Sequence, residues 1–170
     1  MARPGNLRWH YQGYLIVSYH ITSMQQLYEK IADMNSRYYS LRGEIVTAER
    51  RIAALNEKVE MWAQYRKYRP IRKQLERVNP DKQQLFRERH SRELILYDAA
   101  DRFLKGLKDN GEELKPKEWK SEIASLTAEK DSKYTEMRAM REEIKAAEQL
   151  KKTAERLARE QNTKTHEPER

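Results

Sequence analysis

Twelve apolar positions between residues 24 and 62 follow one another at alternating steps of three and four, and this spacing restricts the segment to a helix. Such a repeat places all twelve side chains on one stripe of a coiled-coil helix and leaves the other faces to charged residues. We call these positions the first stripe: Met24, Leu27, Ile31, Met34, Tyr38, Leu41, Ile45, Ala48, Ile52, Leu55, Val59 and Trp62. Ser23, followed by Gln26, predicts the N-cap of this helix. Pro70 predicts its end at about Tyr68, because proline has no N–H and disfavours helix at the preceding residue.

A second stripe follows Gly111 and Pro116, which predict a helix end and a helix start. Its members are Trp119, Ile123, Leu126, Met137, Met140, Ile144, Ala147, Leu150, Ala154 and Leu157, with Lys130 and Lys133 interrupting the series. Each stripe spans 38 positions, from 24 to 62 and from 119 to 157. Equal stripes separated by a long connection predict an all-α fold, a long antiparallel coiled-coil hairpin with a helical elaboration at one end. Residue i is expected opposite residue 181−i, within about one helical turn.

The connection between the stripes is predicted to be helical as well. Ile71, Leu75 and Val78 predict a short turn or two, and Asn79-Pro80-Asp81 predicts a cap and a helix to about Lys108. The chain is thus expected to hold an aromatic-rich N-terminal arm at 1–23, a helical module at 24–160 and a disordered tail at 161–170. The arm contains Trp9, Tyr11, Tyr14 and Tyr19, which suit packing on the end of the helices, an interface, or a junction with a preceding domain.

The composition argues against several classes of function. The chain has no Cys and only four His, and His10, His20, His90 and His166 lack the spacing of a metal site. We therefore expect no enzyme, no cofactor and no metal. The longest apolar run, 14–21, is too short to cross a membrane, and the mean hydropathy is −1.10. A soluble, cytoplasmic protein without a membrane partner is expected, and the absence of Cys fits a reducing compartment.

Most of the net charge of +8 lies in one stretch, which we call the basic segment (63–93): it holds ten Lys or Arg and four Asp or Glu, a surplus of six. Cations interleaved with Tyr suit phosphates and base stacking, so DNA, single-stranded or duplex, or an acidic protein is the expected partner. The candidate binding residues are Tyr65, Arg66, Lys67, Tyr68, Arg69, Arg72, Lys73 and Arg77. The competing interpretation is a solvated turn that Glu76, Asp81, Glu88 and Glu93 partly neutralise.

Three segments, 57–75, 92–118 and 140–160, resemble the helical C-terminal region of relaxases, the mobilization nucleases of conjugative elements and plasmids. In that family a nuclease domain with a catalytic Tyr and a His-rich metal site precedes the helical region. This chain has no such His cluster, so no active-site residue carries over. The resemblance implies a non-catalytic accessory module of a DNA mobilization protein, which binds nucleic acid, a partner of the transfer machinery or a relaxase nuclease domain.

A structural protein with no nucleic-acid role is the alternative. Ile31, Ile45, Ile52 and Val59 at a positions, with Leu27, Leu41 and Leu55 at d positions, suit a parallel homodimer.

Overall fold

The computed structural model describes residues 21–164, and every regular element in that range is an α-helix. The helices are α1 (Met24–Arg77), α2 (Pro80–Arg89), α3 (Ser91–Asp109) and α4 (Pro116–Lys164). The all-α prediction is confirmed, as is the hairpin, because segments of α1 and α4 lie antiparallel to each other. Most of the N-terminal arm, with its four aromatic residues, lies outside the described residues. No described helix is long and apolar enough to cross a membrane.

The chain divides into two compact units. The first unit holds residues up to Val46 and from Asp131 onward, and the second unit holds Thr47–Lys130. Both long helices contribute to both units, whereas α2 and α3 belong to the second unit alone.

The start of α1 is capped largely as the sequence predicts. The Gln26 N–H donates to Ser23 Oγ at 3.3 Å, which satisfies one free donor of the first turn. The Gln26 side chain reaches back and accepts from the Thr22 N–H at 2.8 Å, one residue earlier than in a capping box. Two reciprocal bonds therefore fix the first turn of the helix.

The core of the first unit is the contact between the two stripes. Leu27, Ile31 and Met34 of α1 form one buried cluster with Ala147 of α4. Ile144 and Leu150 are partly buried against it. All twelve positions of the first stripe are buried or half-buried, so the predicted stripe is confirmed along its whole length. The other members of the second stripe are buried or half-buried. Leu157, at the end of the stripe, is 49% exposed, so the prediction that Leu157 lies in the core is wrong.

Polar pairs across the first unit show the register of the helices. The Tyr28 hydroxyl donates to Glu155 at 2.8 Å, two positions from the predicted 153. Lys133 Nζ lies 3.1 Å from Glu44, four positions from the predicted 137. Arg37 pairs with Glu136 at 3.2 Å, eight positions from the predicted 144. The predicted register is therefore correct within about one turn at two of these pairs and off by about two turns at the third, because a heptad stripe fits neighbouring layers almost equally well.

The predicted end of helix α1 at about Tyr68 is wrong. The helix continues through Pro70 to Arg77, and the separate turn expected at 71–78 belongs to it. A proline inside a helix removes one backbone hydrogen bond and costs roughly 3 kcal/mol. Burial offsets this cost, because Leu75 lies beyond the proline in the core of the second unit and is 2% exposed.

The single helix predicted from Pro80 to about Lys108 is two helices. Asn79 caps α2 as expected, since its side chain accepts from the Asp81 N–H, but α2 ends at Arg89, with His90 as its C-cap. The His90 backbone has φ −113° and ψ 25°, outside the helical range, and α3 starts directly after it. The break lets α3 bury Leu94 and Leu104, whereas α2 has no buried residue.

The stop after α3 is confirmed in detail. Gly111 adopts φ +79°, which glycine reaches without steric cost. Its N–H donates to the carbonyl of Lys108, and the Glu112 N–H donates to the carbonyl of Leu107, each at 2.9 Å. These two bonds form a Schellman motif, and α4 begins five residues later at Pro116, as predicted.

The predicted disordered tail begins too early. Helix α4 extends to Lys164, so residues 161–164 are helical. Residues 165–170 lie outside the described part of the chain.

Candidate nucleic-acid interface

The end of α1 carries an exposed row of cations, which we call the basic row: Arg66, Arg69, Lys73 and Arg77. Their spacings of three, four and four place them on one face of a helix. The row exists because α1 continues through Pro70. At a rise of 1.5 Å per residue, the eleven steps from Arg66 to Arg77 extend about 16 Å along the helix.

The charge of the basic row is not neutralised within the described part of the chain. None of its four cations forms an ion pair with a described residue. Glu76 lies 3.8 Å from Arg72 instead, and Glu88 accepts a hydrogen bond from Gln84. The carboxylates of the basic segment therefore leave the positive potential of the row in place.

Three other predicted binding residues, Tyr65, Tyr68 and Arg72, lie on the neighbouring face of α1 and are half-buried, and the Arg69 guanidinium lies 5.9 Å from the centroid of the Tyr65 ring. The Tyr65 ring stacks on Tyr97 of α3 with centroids 5.2 Å apart. Arg72 lies 3.7 Å from Asp98 of α3. Packing within the second unit thus occupies Tyr65 and Arg72.

The contact between Tyr65 and Tyr97 also has an electrostatic effect. Burial, first of all, and then the hydrogen bond with Tyr65 raise the pKa of Tyr97 to about 12. Both causes favour the neutral phenol. This tyrosine pair is therefore part of the packing between α1 and α3, next to the basic row.

Lys67, the last of the predicted residues, is exposed beside the row, and its ammonium lies 5.1 Å from the centroid of the Tyr68 ring. Farther along the chain, α2 and the start of α3 present more exposed cations: Lys82, Arg87, Arg89 and Arg92.

A groove of about 960 Å³ adjoins the start of the basic row, and the sequence analysis missed it. Its wall on α1 consists of Val59, Trp62, Ala63, Arg66 and Lys67, and its second wall consists of Lys115, Pro116, Lys117, Glu118 and Lys120. All ten residues belong to the second unit. Five lining residues are cations and one is an acid, so the groove is strongly basic.

A linear count of charge hides this groove. Lys115 and Lys117 lie in a stretch, 94–118, with five cations and six carboxylates, so the stretch looks slightly acidic. Folding places these lysines opposite Arg66, which lies about fifty positions earlier in the chain. The one signal in the sequence is the spacing of Val59, Trp62, Ala63 and Arg66, which places these four side chains on one helix face.

Groups suited to metal binding are few in the described part of the chain. Among the described residues no cluster of three or more His, Asp or Glu could hold a metal ion. His90 packs on Phe86 with ring centroids 4.4 Å apart, and its Nδ1 atom lies 3.8 Å from Glu93. The other three histidines lie outside the described residues.

Comparisons with family models, with curated proteins and with solved structures find no match to this chain.

Proposed function

We propose that this protein is a non-enzymatic helical module that binds nucleic acid through the basic row and the cations beside it. The observation that carries the proposal is the row itself, four exposed cations on one helix face without an ion pair among the described residues. A row about 16 Å long matches successive phosphates, because backbone charges recur every few ångströms along a strand.

The cellular context that we propose is DNA mobilization. It rests only on the resemblance of segments 57–75, 92–118 and 140–160 to the helical region of relaxases. In that context the module works beside a nuclease domain and helps to hold the transferred DNA or a component of the transfer machinery. A cytoplasmic location goes with this proposal.

The structural homodimer is less favoured by the burial pattern. A parallel dimer uses Leu41 and Leu55 at its interface, but both are 0% exposed within a single chain. The dimer would therefore require α1 to separate from α4, with loss of the core in each unit.

The test is the salt dependence of binding to single-stranded and duplex DNA. Each phosphate contact contributes about 0.7 to the slope of log K against log salt for single strands and about 0.9 for duplexes. Replacing Arg66, Arg69, Lys73 and Arg77 together by Gln should flatten the single-strand slope by up to about 3. Helix content should not change, because all four side chains are exposed.

The matched control removes four exposed cations from one helix in the first unit, Arg138, Arg141, Lys145 and Lys152. The segment that holds them, 131–160, has eight cations and seven carboxylates, and Lys145 lies 2.7 Å from Glu142. This variant should keep a slope close to that of the wild type. Absence of binding at low salt, or equal loss in both variants, would mean that the cations of the basic segment form only a solvated surface of these helices.

A further inference from the structure

We infer that the groove between Trp62 of α1 and the start of α4 binds an unpaired nucleotide of a single strand, with its base on Trp62 and its phosphates on the surrounding cations. The inference rests on the proposed function and adds to it a site that shares Arg66 and Lys67 with the predicted residues, includes Trp62 and the lysines near the start of α4, and distinguishes a single strand from a duplex. At about 960 Å³ the groove is at the upper end of the usual size of small-molecule sites, about 300–1,000 Å³.

Trp62 is held in a fixed orientation. Its ring stacks on Tyr65 with centroids 6.0 Å apart and an angle of 22° between the ring planes. Tyr65 stacks in turn on Tyr97 of α3, which completes a run of three aromatic rings. An indole held in this way loses little conformational freedom when a base packs against it.

The charge of the groove suits phosphate. Arg66, Lys67, Lys117 and Lys120 are exposed, and none forms an ion pair with another described residue. The lone acidic lining residue, Glu118, lies 3.7 Å from Lys115. Hydrogen bonding to Glu113, and then the field of Glu113 and Glu118, raise the pKa of Lys115, so it remains protonated. These four cations therefore have no carboxylate partner among the described residues.

The combination of a fixed indole and free cations favours a single strand over the other polyanions. In a duplex the base faces are covered by stacking, so a duplex offers phosphates but no base for Trp62. An acidic peptide supplies carboxylates and no flat heteroaromatic ring. Stacking of a base on an aromatic side chain is tolerant of sequence, so little base preference is expected.

Photocrosslinking of the wild-type protein locates the base directly. An oligothymidylate in which 5-iodouracil replaces some of the bases should crosslink to Trp62, and mass spectrometry should find the adduct within residues 59–67. This experiment uses the intact chain and does not depend on the folding of a variant. An adduct confined to other segments overturns the inference, even when the basic row still binds DNA.

Substitution of Trp62 measures the same contact. Trp62→Leu keeps an apolar side chain and removes the ring, so affinity for oligothymidylate should fall about tenfold, while affinity for duplex DNA stays within about twofold. Trp62→Phe restores an aromatic face and should recover most of the loss. Tyr39→Leu is the matched control, because Tyr39 is an aromatic residue of α1 that is 63% exposed in the first unit. It should leave both affinities unchanged.

The outcomes separate this inference from the proposed function. Equal loss of single-strand and duplex affinity in Trp62→Leu, with unchanged helix content, overturns the nucleotide site but leaves the basic row as a DNA-binding surface. Competition by oligoglutamate as strong as that by oligothymidylate also overturns it, since the groove then responds to charge alone. If the protein binds neither single-stranded nor duplex DNA at low salt, both proposals are wrong. If Trp62→Leu loses its helix content, the crosslink decides.

Discussion

Residues of the same type in the two stripes can differ greatly in burial. Leu41 of the first stripe is 0% exposed, whereas Leu157 of the second stripe is 49% exposed. Both are leucines in long helices of the first unit. The periodic pattern treats them alike, because it reports the helix face of a residue and not whether another helix covers that face.

Alanine substitution should separate these two leucines. Leu41→Ala should lower the free energy of unfolding by about 2–5 kcal/mol, because it removes buried methyl groups and leaves a cavity. Leu157→Ala should lower it by less than about 1 kcal/mol, because the side chain is already in contact with water. Urea denaturation of both variants gives the comparison. Similar losses would mean that Leu157 is covered in solution.

Tyr97 predicts a stability change at high pH. Its folded pKa, about 12, lies above the ordinary value of 10, so the neutral phenol stabilises the folded state. This contribution is complete below pH 10 and disappears as the pH rises from about 10 to 12. Stability measured across this range should therefore decline, and Tyr97→Phe should show a smaller decline. Phenolate absorbance should likewise show that Tyr97 ionises at a higher pH than a tyrosine of ordinary pKa.

Among the elements, the sequence predicts most boundaries of the helices correctly. Ser23, Asn79, Gly111 and Pro116 each mark a helix end or start through local hydrogen bonding or fixed dihedral angles, which a short segment determines by itself. Pro70 and His90 are the exceptions. Tertiary burial of Leu75 keeps the helix intact through Pro70, and no local feature at His90 marks the break.

The misplaced end at Pro70 yields a prediction about α1. Pro70 is exposed, so its ring contributes little packing while its missing N–H weakens the helix. Pro70→Ala should raise the free energy of unfolding, by up to about 3 kcal/mol. Pro116→Ala is the control: at the first position of α4 a proline loses no helical hydrogen bond, so the change should be small or unfavourable. Thermal unfolding of both variants measures the difference. A destabilised Pro70→Ala would show that the ring makes a contact that α1 needs.

For the whole molecule, the sequence predicts the pairing of the two stripes and only one side of the candidate site. The stripes were visible because each is continuous along the chain. The groove does not show in the sequence, because Trp62 belongs to the first stripe and Lys117 to a nearly balanced stretch. Only the antiparallel pairing places the two within one surface.

The two units differ in the length of the chain loops that their contacts close. In the second unit Lys58 pairs with Glu112 and Arg51 with Glu122, across 54 and 71 positions. In the first unit Arg37 pairs with Glu136 and Tyr28 with Glu155, across 99 and 127 positions. Loop-closure entropy rises by about 0.6 kcal/mol for each doubling of the loop, so the shorter loops should close first and shorten the remaining ones.

Folding is then expected to start at the turn between α3 and α4 and to proceed toward the ends of the chain. Pulsed hydrogen exchange during refolding should show protection at Leu55 and Leu104 before Leu27 and Ala147. Simultaneous protection of the two units would contradict this order. The antiparallel pairing of the helices therefore also sets the order in which their contacts form. The groove, whose two walls both belong to the second unit, is complete before the start of α1 has met the end of α4.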